Sequence, residues 1–398
     1  MAIKVCDRLC GAGKTQAAIR MMNENPDKKF LFITPFLEEA QRIKYSCPLL
    51  NFVEPAAYDS SGKFGSLISL LENGRNVAST HALFRRYDKH VAELIRQQGY
   101  TLILDEVFDV FELLGAHPHD VQDAIAQGHI SVDSAGRVHW NNDGYDGEFT
   151  RYRKHIKNGY VTVDKDKLIL WLFPIEVFEA FRDVYILTYM FDAQIQKYYF
   201  DLNGCGYEII GTRHLSGIDY EFCAVEDADP SPSLSGKIHI LDDIKSNEVG
   251  KKKTALSVSW HKKPDTDNIE RLRRSLYNVL HNKFGVSSKD ILWTTYKGFR
   301  NALQGKGFKK SFLSFNARAR NDFADRHYLA YCVNLYMNPT MRNYFVAQGI
   351  KIDQDKYALS EMIQWVWRSA IRRGEEIWLY VPSSRMRGLF YDWLEEMK

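Results

Sequence analysis

The stretch Cys10-Gly11-Ala12-Gly13-Lys14-Thr15 decides how this chain reads. A short apolar run, Ile3 to Cys6, precedes it, and a helix-compatible segment, Gln16 to Met22, follows. Strand, glycine-rich turn and helix in that order make the setting of a phosphate-binding loop. The N–H groups of such a loop and of the first helical turn point inward at an anion. Gly11, Ala12 and Gly13 are therefore read as the cradle and Lys14 as the cation that reaches the terminal phosphates. Thr15 supplies a hydroxyl that can ligate Mg²⁺. One position departs from the full pattern: Arg8 stands where glycine or alanine is usual.

A nucleotide site of this kind needs an acid that holds the metal. Tyr100 to Leu104 is an apolar strand that ends in two acids, Asp105 and Glu106. Asp105 is placed to hold Mg²⁺, and Glu106 to take a proton from an attacking water. With that base built in, hydrolysis is favoured over transfer to a small acceptor. The third need is positive charge on the transferring phosphate, for which guanidinium forks suit better than ammonium groups. The pattern from Ser360 to Arg373 predicts a helix in which Gln364, Arg368 and Arg372 recur at four-residue steps and so share one face.

Strands and helices alternate around these motifs. Phe30 to Ile33, Asn76 to Ala78, Tyr100 to Leu104 and Val184 to Thr188 read as buried strands, with helices predicted over 37–45 and 86–98. That alternation predicts an α/β fold with mainly parallel sheets flanked by helices on both faces. Residues from about 112 to 180 break the rhythm. They read as a β-containing insertion, with a hairpin from His129 to Trp140, a strand from Tyr160 to Val163, and a basic-aromatic cluster, Arg151-Tyr152-Arg153-Lys154-His155, between them. The Pro-, Ser- and Asp-rich run from Glu226 to Ser233 places a linker at about 214–235. A first domain over 1–213 and a second over 236–398 follow, the latter with helices at 268–284, 298–304 and 385–397 and strands at 290–294 and 377–381.

Composition narrows the class. A chain of 398 residues, 45% apolar and 26% charged, has the profile of a soluble globular protein of two or three domains. No apolar run is long enough to span a bilayer and no secretory leader precedes the loop, so a cytoplasmic protein without a membrane partner is expected. The net charge of +3 excludes global basicity, and any nucleic-acid contact must come from local patches. The six cysteines lack CxxC pairs, which argues against a disulfide framework or a zinc site.

The order of motifs resembles that of superfamily 2 DEAD/DExx-like helicases, which have two tandem RecA-like domains. Gly11-Ala12-Gly13-Lys14-Thr15 resembles motif I and Asp105-Glu106-Val107-Phe108 motif II. Thr34-Pro35, Ser79-Thr80-His81 and Leu187-Thr188-Tyr189 fall where motifs Ia, Ib and III belong. Trp293 to Lys297 looks like motif IV, Ser314 to Asn321 stands at motif V, and Gln364 to Arg372 at motif VI. Compact helicases encoded by bacteriophages resemble it most. The resemblance implies an ATP- and Mg²⁺-dependent helicase or translocase working on single-stranded or duplex nucleic acid, DNA favoured, as a monomer in the host cytoplasm. It implies catalytic roles for Glu106, Gln364, Arg368 and Arg372, and strand contacts from Thr34, Thr80, Thr295 and Arg318. Tyr189 departs from the small residue usual in motif III, and the second motif VI arginine falls at Arg372 where Ile371 holds the usual place. Two other readings share the loop and the acids: a viral DNA-packaging, terminase-like ATPase, and a nucleic-acid-binding scaffold with a vestigial ATPase.

Overall fold

The computed structural model describes residues 2–57, 62–134, 136–158, 160–163, 169–234, 236–263, 266–305, 307–317 and 322–397. The chain divides into two compact units. Met1–Arg8, Gly13–Asp229 and Pro339–Ile352 form the first; Leu9–Ala12, Pro230–Asn338 and Asp353–Lys398 form the second.

The first unit begins with four strands, β1 (Ala2–Asp7), β2 (Phe30–Thr34), β3 (Val77–Thr80) and β4 (Thr101–Asp105). Five short strands follow: β5 (Phe111–Leu113), β6 (Ile130–Val132), β7 (Val138–Trp140), β8 (Val161–Val163) and β9 (Ile169–Leu172). Then come β10 (Asp183–Thr188), β11 (Glu208–Ser216) and β12 (Asp219–Cys223). The main sheet is seven-stranded in the order β12-β11-β1-β10-β4-β2-β3, with all neighbours parallel except the β11–β12 hairpin. Parallel strands are covered on both faces, which is why β2 and β4 read as unbroken apolar runs. One face packs Leu31, Ile33, Leu102, Leu104 and Ile186 against α3 (Gly62–Glu72) and α5 (Lys89–Gln98). The other packs Phe30, Phe32, Ile103 and Leu187 against α1 (Lys14–Asn23) and α2 (Leu37–Ser46).

Register decides where a site can form. Asp7 lies opposite Thr188, and Leu187 opposite Asp105. The carboxyl ends of β1, β10 and β4 therefore share one edge, the edge at which open α/β sheets bind ligands. The expected insertion is present between β4 and β10. β5, β9 and β8 form an antiparallel sheet, β6 and β7 a hairpin, and Phe108 and Phe173 of this block join Phe84 and Phe178 at centroid distances from 4.8 to 6.1 Å.

In the second unit, β13 (Ile238–Ile240), β14 (Ile291–Thr294), β15 (Tyr328–Tyr331) and β16 (Ile377–Tyr380) form a parallel sheet in the order β13-β16-β15-β14. The expected mixed α/β class with parallel sheets between helices is thus what the chain adopts.

Three details differ from expectation. Residues 208–223, which overlap the start of the expected linker, form the β11–β12 hairpin, and the passage between units comes at Asp229–Pro230. The helix Pro339–Ala347 groups with the first unit, where Tyr344 and Phe345 meet Phe111 at 5.6 and 5.7 Å. The helix expected over 360–373 runs from Gln354 to Val366 and stops, because Ser369 is extended (φ −97°, ψ −170°) and Ala370–Arg373 is a separate 3₁₀ turn.

One buried cation organises the second unit. Arg385 donates from Nη1 to the Leu335 carbonyl (2.7 Å) and Asn334 Oδ1 (3.0 Å), from Nε to Asp355 Oδ1 (2.8 Å), and lies over the Tyr336 ring. Asp355 is largely exposed, so the cost of losing Arg385 lies in the buried carbonyl and amide left unpaired. Arg385→Ala should lower stability by about 2–4 kcal/mol, read as a shift of the urea midpoint at unchanged m.

Candidate active site

Three elements meet Asp105 at the end of β4: α1 and β2 reach its carboxylate and the short helix after β3 its main-chain carbonyl. α1 opens immediately after the glycine-rich loop, with Gly13 as its N-cap in the left-handed region (φ 74°) and Gly11 also left-handed (φ 89°). A Cβ at such angles costs about 1 kcal/mol or more, so the loop's backbone selects glycine there. The first turn of α1 carries Thr15, whose Oγ1 donates to Asp105 Oδ1 at 3.4 Å. From the end of β2, Thr34 Oγ1 donates to the other oxygen, Oδ2, at 3.3 Å. From α4 (His81–Phe84), the His81 ring nitrogen Nε2 bonds the Asp105 main-chain carbonyl at 3.0 Å.

The charge balance at this carboxylate is unfavourable as it stands. Burial, then Glu106 and Glu39, raise the Asp105 pKa to about 7, against the opposing pull of Lys14 and the Thr34 hydroxyl. Two hydroxyl oxygens and a carboxylate short of positive charge are the donor set of a hard cation such as Mg²⁺. Glu106 itself sits in the left-handed region (φ 68°), its N–H donating to the Leu187 carbonyl at 2.9 Å. A non-glycine residue held there costs about 1–3 kcal/mol, and such strain gathers at functional positions.

Arg8, the odd residue of the loop pattern, works through its main chain and its side chain. Its N–H donates to the Thr188 carbonyl at 3.0 Å, and its carbonyl accepts from Lys14 Nζ at 2.6 Å. Its guanidinium donates to the Asp229 carbonyl. Asp229 also accepts the His214 N–H on its carboxylate (2.5 Å), so Arg8 ties the loop to the β11–β12 hairpin. That hairpin returns the contact: the Tyr220 ring lies where a Cβ on Gly13 would be, 2.2 Å from Cγ and Cδ1.

The expected residues divide into those brought together and those that are not. Lys14, Thr15, Asp105 and Glu106 stand at one sheet edge as anticipated. Thr34, expected to face a strand, is fully buried with its hydroxyl on Asp105, so it serves the carboxylate. Thr295, the residue after β14, is also fully buried and meets no surface, a second correction with the same cause: the carboxyl end of a parallel strand stays covered by its neighbours. Thr80 is half-buried between β3 and α4. Arg318 lies outside the described residues. In the second unit, Gln364 and Arg368 are each 8% exposed whereas Arg372 is exposed on the 3₁₀ turn. The helix ends before Arg368, so the three do not share a helical face. Glu39 and Tyr220 escaped the sequence reading, and His81 was read only as part of a motif without its bond to Asp105, since nothing local to them signals contact with a residue far away in the chain.

Residues 232–394 match the family model described as the YonV C-terminal Rossmann-like domain. Over 415 aligned residues the chain is 39% identical to the SPbeta prophage-derived uncharacterized protein YonV of Bacillus subtilis (strain 168), covering 100% of this chain and 99% of that one. Among solved structures, an XPD helicase superposes with a TM-score of 0.55 at 10% identity, over 100% of this chain and 95% of that one. Xpd4 of S. tokodaii aligns with a TM-score of 0.45 at 13% identity, over 98% and 94%. The first of these likenesses shows a helicase-like fold, as the motif order implies.

The Gly13–Tyr220 contact generates a two-step prediction. Gly13→Ala should destabilise the first unit. Adding Tyr220→Ala should recover the part due to collision, leaving about 1 kcal/mol for the left-handed backbone. Thermal melts of the single and double variants measure both parts. By identity and coverage together, the chain belongs to the YonV family.

Proposed function

We propose that this protein is an ATP-dependent helicase or translocase that hydrolyses ATP to move along or unwind nucleic acid. The observation that carries the reading is the Asp105 carboxylate held by Thr15 and Thr34 beside the phosphate loop, with Glu106 next to it. The helicase-like fold and the prophage relative support the same reading.

In this proposal Gly11, Ala12, Gly13 and Lys14 hold the nucleotide's phosphates, and Thr15 and Asp105 hold Mg²⁺. Among the described residues no cluster of three His, Cys, Asp or Glu side chains is placed for a metal. A magnesium ion would thus complete its shell with phosphate oxygens and water, as it does in nucleotide sites. Bound there, the ion would supply charge neutralisation for the β- and γ-phosphates. Glu106 accepts the proton of the attacking water and Thr34 fixes the Asp105 rotamer. Gln364, Arg368 and Arg372 are assigned to the charge that develops on the phosphate, with the buried Arg368 better held than the exposed Arg372. Thr80 and Arg318 are assigned to the strand. DNA as preferred strand and a monomer as working form belong to the same proposal.

Glu106→Gln keeps the side chain's size and its backbone while removing the base. Hydrolysis should fall by about 10²–10⁴-fold with ATP binding retained. Phosphate release with single-stranded nucleic acid present measures this, and a variant as fast as the wild type would contradict the assignment.

A further inference from the structure

Four elements of the first unit meet at two aromatic rings. Phe64, on α3, has the Arg86 guanidinium 4.8 Å from its ring centroid and the Lys154 ammonium 5.5 Å from it. Trp171, on β9, has the Arg85 guanidinium at 4.4 Å and the His155 ring edge-on at 6.3 Å. Lys154 and His155 belong to the short helix Arg153–Lys157, the basic-aromatic cluster of the insertion. Arg85 and Arg86 directly follow α4, whose first residue, His81, holds the Asp105 carbonyl. The patch is therefore built jointly by the insertion and by the segment that contacts the candidate metal-holding acid.

The charges do not cancel. Arg85 pairs with Glu112 and lies near Asp109. Arg86 and Lys154 are exposed, and neither forms an ion pair among the described residues. Burial and the neighbouring Arg85 and Lys154 push the His155 pKa down, so the imidazole stays neutral and adds a hydrogen-bonding ring without adding charge. Two uncompensated cations that share one ring repel each other, while each exposed cation–π contact returns only about 0.5–1 kcal/mol. In a chain whose net charge is only +3, such a concentration of charge fits an anionic occupant.

We propose that this patch binds the sugar–phosphate backbone of a single nucleic-acid strand, with Arg86 and Lys154 on neighbouring phosphates. The proposal rests on the nucleic-acid reading above and gives the insertion a part in it. Sequence-tolerant single-strand sites combine basic side chains that track the backbone with aromatic rings, and cation–π contacts from arginine add to them. Two cations gathered at one ring match the close spacing of phosphates along one strand.

The test is fluorescence anisotropy of the full chain over a salt series, with labelled oligothymidylate, oligouridylate and a DNA duplex as probes. For a single strand, Arg86→Ala/Lys154→Ala should reduce the slope of log affinity against log salt by about 1.4, roughly 0.7 for each lost phosphate contact. Arg86→Lys/Lys154→Arg should restore it. Lys28→Ala/Lys44→Ala, which removes the same charge from exposed positions elsewhere in the unit, should leave it unchanged. An unchanged slope in the patch variant, an equal loss in the control, or a change with the duplex alone would overturn the proposal. A wild-type protein that binds none of the three probes would overturn the nucleic-acid reading itself.

Discussion

The Asp105 carboxylate is a charge that its own surroundings disfavour, and the candidate site depends on that fact. Burial at the end of β4, with Glu106 and Glu39 nearby, raises its pKa to about 7, while Thr15 and Thr34 hold one oxygen each. A buried acid among acids is stable only when it is neutral or when a cation joins it. Hydroxyl donors on both oxygens leave its position fixed in either case. The parallel register of β1, β10 and β4 brings this acid to the sheet edge from which the glycine-rich loop leaves β1.

The loop is constrained from a second direction. Arg8 holds Lys14 through its carbonyl and the hairpin's exit through its guanidinium, while Tyr220 of that hairpin fills the space beside Gly13. The residue that breaks the usual loop pattern is therefore the one that anchors the loop to an additional pair of strands. Glycine at position 13 is required twice, by its left-handed backbone and by the ring against it.

Much of the first sheet was legible because buried parallel strands carry uninterrupted apolar runs, and the loop, Asp105 and Glu106 were legible because their spacing sits on those strands. The rest depended on packing. The apolar pattern continues through Ala370 and Ile371, which are buried in a 3₁₀ turn, so periodicity alone did not reveal that the helix stops at Val366. β11 is mostly exposed and shows no clear alternation, which hid the hairpin behind a linker-like composition. Helix Pro339–Ala347 joins the first unit through Tyr344 and Phe345, a choice made by long-range aromatic contact. The directions of the Thr34 and Thr295 side chains were likewise set by tertiary cover and not by their place after a strand.

The central claim is that Thr15 and Asp105, beside Lys14, form a magnesium-dependent nucleotide site. Calorimetric titration of the full chain with a non-hydrolysable ATP analogue, with and without Mg²⁺, tests it most directly. The account predicts binding that tightens at least about tenfold with Mg²⁺ in the wild type, equivalent to about 1.4 kcal/mol, and loses that increment in Asp105→Asn. Absence of nucleotide binding, or equal affinity with and without the ion in the wild type, would contradict it.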